Sequence, residues 1–177
     1  KFSMTITLGS LFDGIGVFPL AASRHGILPV WASEIVPDAI SITKRHFPAM
    51  VHLGDITKLD GGKIPAVHVI TFGSPCQNLS SIGPRDGLSG AKSSLFYQAI
   101  RIIEEMRDAS GRLYPAIVVW ENVVGAMQQN LKNDYLAVLK SFAGAEVSVP
   151  DSGHWADAGV VRGRRCDLAW RVLDAQY

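Results

Sequence analysis

TITLGSLFDGIG, Thr5–Gly16, runs a mostly apolar segment into a turn with two glycines. Thr5–Phe12 reads as a strand, because branched and apolar side chains suit a pleated, buried surface. Asp13–Gly16 reads as a tight turn, since Gly14 and Gly16 accept left-handed backbone and let a ligand approach with no Cβ in the way. Val17–His25 reads as a helix, with Pro19 in the first turn, where a missing N–H is tolerated. Strand, glycine turn and helix open a βα unit, and repeated units build a mostly parallel sheet with helices on both faces.

The rest of the chain continues the alternation. Pro29–Ile35 is a second strand and Asp38–Phe47 a second helix, with Ala39, Ile42 and His46 roughly on one side. Met50–Leu53 is a short third strand ending in GDITKL. Pro65–Phe72 is nearly continuous in apolar residues, as expected of a strand covered on both faces. Gln77–Lys92 has no convincing periodicity and carries Gly83, Gly87 and Gly90, so it reads as a long loop of the lid or binding kind. A helix starts near Ser94, with Phe96, Ile100, Ile103 and Met106/Arg107 as its apolar stripe. PAIVVWE, Pro115–Glu121, is another buried-type strand, and Asp134–Phe142 another helix. GAEVSVP and CDLAWRVLDAQY read as late strands. The expected class is α/β, a three-layer, mostly parallel sheet.

The 177 residues suit one domain with a sizeable core. At 47 % hydrophobic and 19 % charged, the composition is that of a folded globular chain and excludes disorder. A net charge of +1 excludes a broad basic surface, so any nucleic-acid contact is local or shared with another part. The two cysteines, Cys76 and Cys166, form no CxxC and no disulfide framework, and the five histidines show no ligand spacing, so no metal is expected. No apolar run approaches a membrane span, and Lys1–Thr7 does not resemble a signal peptide, which makes a reducing cytoplasm the expected compartment.

In open α/β sheets function sits beyond the carboxyl ends of the strands. Phe12–Gly16, Glu34, Asp55, Gly73–Ser80 and Glu121–Asn122 all fall there. FDGIG lacks the third glycine of the dinucleotide fingerprint, because position 19 is Pro. A plain strand–helix connection also fits it. Glu34 follows the turn at about 20 residues, the spacing of an acid that accepts from ribose hydroxyls. Asp55 suits either an acceptor for a purine amino group or a turn cap. Together they favour an adenosine-containing ligand. Without a phosphate cradle, S-adenosylmethionine fits better than NAD.

GSPCQNLS, Gly73–Ser80, puts Cys76 on a turn stiffened by Pro75, among poor core neighbours. A thiolate is the attacking form of cysteine, and it needs exposure and aim. Cys166 suits the ordinary role of a small buried hydrophobe. Glu121 follows AIVVW, so a partly buried carboxyl with a raised pKa is expected there, with Asn122 holding neighbouring backbone. A strand-end cap is the plainer alternative.

These motifs resemble those of the DNA cytosine-5 methyltransferases, closest to the phage and prophage branch. Pro75-Cys76-Gln77 resembles their nucleophile motif. Phe12, Asp13, Gly14, Ile15 and Gly16 resemble the first cofactor motif. Glu34 with Ile35 resembles the ribose-binding acid and its neighbour, and Asp55-Ile56 the adenine-contacting pair. Leu95, in Ser94-Leu95-Phe96, resembles a leucine near the cofactor, and Glu121-Asn122-Val123 the ENV motif. The resemblance implies a Rossmann-like methyltransferase fold and S-adenosylmethionine as methyl donor, with S-adenosylhomocysteine as product. It implies double-stranded DNA as partner and Cys76, Glu121 and Asn122 as the catalytic set. Gln77, Ser80, Arg85 and Lys92 would lie on a loop that closes over a flipped-out cytosine. Val17, Asn78 and Lys92 stand where relatives often have Gly, Asp and Arg.

The family's QxRxR motif would follow LAWRVLDAQY, and its target-recognition domain is also expected outside these residues. Residues 1–177 therefore read as a partial catalytic and cofactor-binding domain, incomplete at its C-terminus and completed by a further region or a second polypeptide. Arg162, Arg164 and Arg165 precede that point and read as a solvated or phosphate-facing basic turn. The resemblance implies roles in restriction-modification, phage DNA protection or regulation. A non-catalytic or partner-dependent fragment, and a nucleotide-dependent oxidoreductase, are the alternatives.

Overall fold

The computed structural model describes residues 5–74, 95–123 and 132–174. The sequence folds in the expected alternation: β1 (Thr7–Leu11), α1 (Val17–Arg24), β2 (Leu28–Ser33), α2 (Pro37–His46), β3 (Val51–His52) and a 3-10 turn at Ile56–Lys58. Then come β4 (Val69–Phe72), α3 (Leu95–Ala109), β5 (Ile117–Trp120), α4 (Lys132–Ala143), β6 (Ala158–Arg162) and β7 (Asp167–Arg171). The chain divides into two compact units. The described residues of the first are 5–74 and 95–121, and those of the second are 122–123 and 132–174.

The first unit is a five-stranded parallel sheet in the order β3-β2-β1-β4-β5. From β1 the chain steps outward to β2 and β3, then returns to lay β4 on the other side of β1. Right-handed crossovers therefore put α1 and α2 on one face and α3 on the other. Strand order reverses between β1 and β4, and the crevice at their carboxyl ends is where such a sheet binds ligands. The central strands are buried on both faces: Leu8, Leu11, Ile70 and Phe72 are core residues. Trp31 of β2 is fully buried, lies over Gly9 of β1 and donates its indole N–H to the Pro65 carbonyl at 2.9 Å. A Cβ on Gly9 would lie 2.1 Å from the Trp31 ring.

Several local expectations are corrected. The buried stripe of α3 is Phe96, Ala99, Ile102, Ile103 and Met106, a mixed three–four spacing, and Ile100 is only half-buried. On α2 the buried residues are Ala39 and Thr43, while Ile42 is exposed. β5 was expected to be buried; it lies at the sheet edge, and its exposure alternates, with Ile117 and Val119 exposed. A run of branched residues marks strand propensity, but it does not distinguish a central strand from an edge.

In the second unit GAEVSVP is not a strand. Gly144, at φ +60°, ends α4 and donates to the Lys140 carbonyl at 3.0 Å. The partner of β7 is instead β6, an antiparallel neighbour running from Ala158↔Arg171 to Arg162↔Asp167. Its small residues hid it, yet Gly159 is required, because a Cβ there would lie 2.1 Å from the Trp170 ring. Tyr135, Trp155 and Trp170 pack edge to face. The three arginines fall at the hairpin end. Arg162 pairs with Asp167 at 2.7 Å, and Arg165 donates to the Ser141 carbonyl at 3.2 Å. Cys166 is exposed, not buried, and its thiol donates to the Phe142 carbonyl at 3.3 Å.

Overpacking the closest strand contact gives a direct test of the sheet. Gly9→Ala is expected to cost about 2 kcal/mol of stability in urea unfolding, within the range for forcing extra volume into a packed core. An unchanged midpoint would show that Trp31 does not sit on Gly9.

Candidate functional site

The crevice begins at the turn after β1. Phe12, Gly14 and Gly16 all have left-handed backbone, at φ 51°, 57° and 84°. A phenylalanine in that region costs on the order of 1 kcal/mol, so neighbouring bonds must hold it. Asp13 N–H donates to the Ser33 carbonyl at 3.1 Å, and Gly16 N–H to the Asp13 carbonyl at 3.1 Å. Gly16 is also packed closely, because a Cβ there would lie 2.8 Å from Thr43.

Glu34 ties this turn to the end of β2. Its Oε2 accepts from Gly14 N–H at 2.8 Å, and its Oε1 accepts from the Ile35 and Val36 amides at 2.7 and 2.9 Å. The sequence pointed to Glu34 as a ligand acceptor and gave no sign of this bracing role. A carboxylate oxygen accepts more than one bond, so the two roles are compatible. Ile15 and Ile35 stand exposed beside it.

Asp13 is the buried charge of the site. It is 6 % exposed, with the Ser10 hydroxyl nearby and Glu34 as an acidic neighbour. Burial pushes its pKa up to about 6; the Ser10 hydroxyl opposes the rise and Glu34 adds to it. Ser10 and Thr71 are register partners on β1 and β4, and both hydroxyls are buried. Among the described residues, neither they nor the Asp13 carboxylate oxygens have a hydrogen-bond partner of good geometry. Buried polar groups are normally paired, so such a cluster under a ligand crevice points to a polar or cationic group.

At the end of β3, Asp55 acts as a cap. Its Oδ1 accepts from the Thr57 amide at 2.9 Å and the Thr57 hydroxyl at 2.8 Å. These bonds, and Lys58, hold its carboxyl below the usual range. The Lys58 ammonium lies 3.8 Å from Oδ2. The Ile56 side chain is buried in the core.

The second side of the crevice comes from β4 and β5. Their register sets Phe72 opposite Trp120, so Gly73 and Glu121 emerge together. Glu121 N–H donates to the Phe72 carbonyl at 3.0 Å, and a Cβ on Gly73 would lie 2.9 Å from Glu121 Oε2. Gly73 is thus the missing volume that admits this carboxylate, a role that only the strand register reveals. Trp120 donates its indole N–H to the Ser74 hydroxyl at 3.2 Å, and Ser74 is buried. Glu121 itself is exposed and not partly buried, because it follows an edge strand. Asn122 Oδ1 accepts from the Val123 amide at 2.8 Å. Leu95, half-buried, opens α3. Pro75, Cys76, Gln77, Ser80, Arg85 and Lys92 lie outside the described residues.

Residues 6–150 match the family model for C-5 cytosine-specific DNA methylase. The chain belongs to that family. Its relatives include the type II methyltransferase M.NlaIV of Neisseria lactamica, 34 % identical over 83 % of this chain and 30 % of that protein. The orphan methyltransferase M.Rho11sI of Bacillus phage rho11s is 32 % identical over 76 % of this chain and 26 % of its own length. A DNA N-6-adenine-methyltransferase of Escherichia phage P1 is 29 % identical over 96 % of this chain and 26 % of that protein. This methylase chain thus spans between a quarter and a third of those relatives. Among solved structures, a DNA modification methyltransferase encoded within an E. coli prophage superposes with a TM-score of 0.60 at 22 % identity, over 89 % of this chain and 40 % of that one. Spodoptera frugiperda DNMT2 gives 0.52 at 22 % identity, over 77 % and 41 %. Both likenesses place the fold with methyltransferases.

The methylase family takes its methyl group from S-adenosylmethionine. The residues fit that cofactor. Asp13 and Glu34 beside the glycine turn would repel a pyrophosphate but favour a cationic amino-acid end. Exposed Ile15 and Ile35 suit the flat faces of an adenosine. Among the described residues, no helix is long and apolar enough to cross a membrane.

Asp13 has a consequence for stability. Its folded pKa of about 6 exceeds the ordinary 3.8, so between these values the folded state binds more protons than the unfolded state. Stability therefore falls as pH rises through that window, by about 2–3 kcal/mol in all. Asp13→Asn is expected to flatten this dependence and to raise stability above pH 7, as read by urea unfolding between pH 4 and pH 8. Parallel curves for the two proteins would refute the buried-charge assignment.

Proposed function

We propose that this chain is the cofactor-binding and catalytic part of an enzyme that transfers methyl groups to C5 of cytosine in double-stranded DNA. The proximity of Glu121 and Gly73 at the carboxyl ends of β5 and β4 carries the reading. Cys76 follows Gly73 by three positions in sequence. Gly73, from which the segment carrying Cys76 leaves, stands beside the Glu121 carboxyl. Recognition of the DNA target is assigned to a further region or a second polypeptide, in keeping with the share of its relatives that the chain covers.

Cytosine C5 is a weak nucleophile, and the proposed residues remedy this. The Cys76 thiolate adds to C6, forming the S–C6 bond and leaving the ring enamine-like. Glu121, closed off from water by the bound base, donates a proton toward N3 and stabilises the charge that addition places there. When bound, S-adenosylmethionine would supply an electrophilic methyl group to C5, with S-adenosylhomocysteine as the leaving group. The C5 proton then leaves, the S–C6 bond breaks and Cys76 is released as thiolate. Asn122 holds the backbone beside Glu121. The target base must leave the helix stack for this, and Gln77, Ser80, Arg85 and Lys92 are assigned to the loop that closes on it.

In the cofactor site, Asp13 is assigned to the cationic amino-acid end, Glu34 to the ribose hydroxyls, and Ile35 with Asp55-Ile56 to the adenine. Phe12, Gly14, Ile15, Gly16, Pro75 and Leu95 are assigned to the walls. An N-6-adenine product, as the phage P1 relative's name describes for that protein, would leave Cys76 without a role, because an amine attacks the methyl group directly.

Two outcomes are expected. In the protein assembled with its DNA-reading region, duplex DNA carrying 5-fluorocytosine and S-adenosylmethionine should give a covalent adduct that Cys76→Ser abolishes. No cysteine-dependent adduct would overturn the mechanism. Cofactor affinity, measured by calorimetry, should fall about tenfold per pH unit below about pH 6 as Asp13 takes up its proton. In Asp13→Asn it should be weaker at pH 7.5 and nearly flat with pH. The same slope in both proteins would remove Asp13 from the site.

A further inference from the structure

Arg101 makes a dense set of contacts in the first unit. It lies on α3 and points its guanidinium at the segment that follows β3. Nη2 donates to the Ile56 carbonyl at 3.0 Å, and Nη1 to the Leu59 carbonyl at 2.8 Å. Nη1 also meets both oxygens of Glu105, one helical turn on, at 2.9 Å, while Nε donates to Gln98 at 2.9 Å. Glu105 Oε2 in turn accepts from the Gly61 amide at 2.7 Å. One Arg–Glu pair therefore holds three backbone groups, at Ile56, Leu59 and Gly61, of a segment whose only regular structure is a three-residue 3-10 turn.

A second observation places that segment directly on α3. A Cβ on Gly61 would lie 2.3 Å from the Ile102 carbonyl oxygen. The backbone of the segment rests on the backbone of the helix with no side chain between. Arg101 is about one-third exposed and Glu105 similarly so. A charge pair in that position adds little by Coulomb attraction alone. Its geometry is that of a brace: the planar guanidinium offers several donors in a fixed arrangement, and two of the acceptors, the Ile56 and Leu59 carbonyls, lie at opposite ends of the turn that Asp55 caps.

We propose that Arg101, with Glu105, is a positioning residue for the edge of the pocket that receives the adenosine end of the cofactor. The inference rests on the assignment of Asp55-Ile56 to the adenine made above. A short 3-10 turn has little stability of its own, and an error of about 1 Å in a binding edge is enough to lose affinity. α3 is the rigid element, buried along Phe96, Ala99, Ile102, Ile103 and Met106. Arg101 transfers that rigidity to Asp55 without contacting the ligand.

The test uses the 177-residue chain. In Arg101→Met, hydrogen exchange at the Lys58, Leu59 and Gly61 amides should accelerate at least tenfold, while β1 and β4 amides keep wild-type protection. Affinity for S-adenosylhomocysteine and for 5′-methylthioadenosine, which lacks the amino-acid end, should weaken together by five- to twentyfold. Arg101→Lys should fall between, since an ammonium cannot reach all the acceptors. Gly61→Ala, which lifts the segment off α3, should give the same pattern and serves if Arg101→Met does not fold. Unchanged exchange overturns the proposal, and so does faster exchange with unchanged affinity. A wild type that binds neither ligand overturns the cofactor assignment itself, whereas a wild type that binds and a variant that binds as well overturns only the role of Arg101.

Discussion

Parallel pairing of β1 with both β2 and β4 is the constraint from which the site follows. Parallel neighbours need crossovers, and crossovers have one favoured hand. With β2 on one side and β4 on the other, the connections leave β1 in opposite directions and a crevice opens at the carboxyl ends. Gly9 makes the pairing close by giving the Trp31 ring its space. Among the described residues, Phe12–Gly16, Glu34, Asp55, Gly73 and Glu121 follow the carboxyl ends of the sheet's strands. The β4–β5 register then decides which residue meets Gly73, and that residue is Glu121.

Much of this could be read from the chain. The βα order, the glycine turn at Asp13–Gly16 and the strand ends at Glu34, Asp55 and Gly73 are local patterns, and local patterns survive folding. What could not be read depends on who stands next to whom. PAIVVW looks as buried as PAVHVITF, yet β5 is an edge and β4 is central. Ile100 fits a helical stripe as well as Ala99 does, but the sheet side of α3 takes the alanine. β6 was obscured because Ala158 and Gly159 lack the bulk that marks a strand, the glycine being demanded by Trp170. Cys166 looked like core and lies exposed on a hairpin turn. Glu34 had one expected role and showed another, since a hydrogen bond to Gly14 leaves no mark in spacing.

Asp13 shows how the site trades stability for a charge. Its carboxylate is buried beside another acid, which disfavours the ionised form, and the Ser10 hydroxyl offsets this only in part. A neutral side chain would pack there at lower cost. Consistency across levels of structure normally breaks at functional positions, and this is the place in the first unit where burial and charge disagree most plainly. A cationic ligand would resolve the disagreement.

In the proposed function this crevice holds the cofactor with its amino-acid end against Asp13 and its adenosine between the ends of β2 and β3. A crystal structure of the chain with S-adenosylhomocysteine tests it most directly. The ligand's ammonium is expected within hydrogen-bond distance of the Asp13 carboxylate, its ribose at Glu34 and its adenine amino group at Asp55. A ligand bound elsewhere on the sheet, or bound here with its ammonium turned away from Asp13, would contradict it.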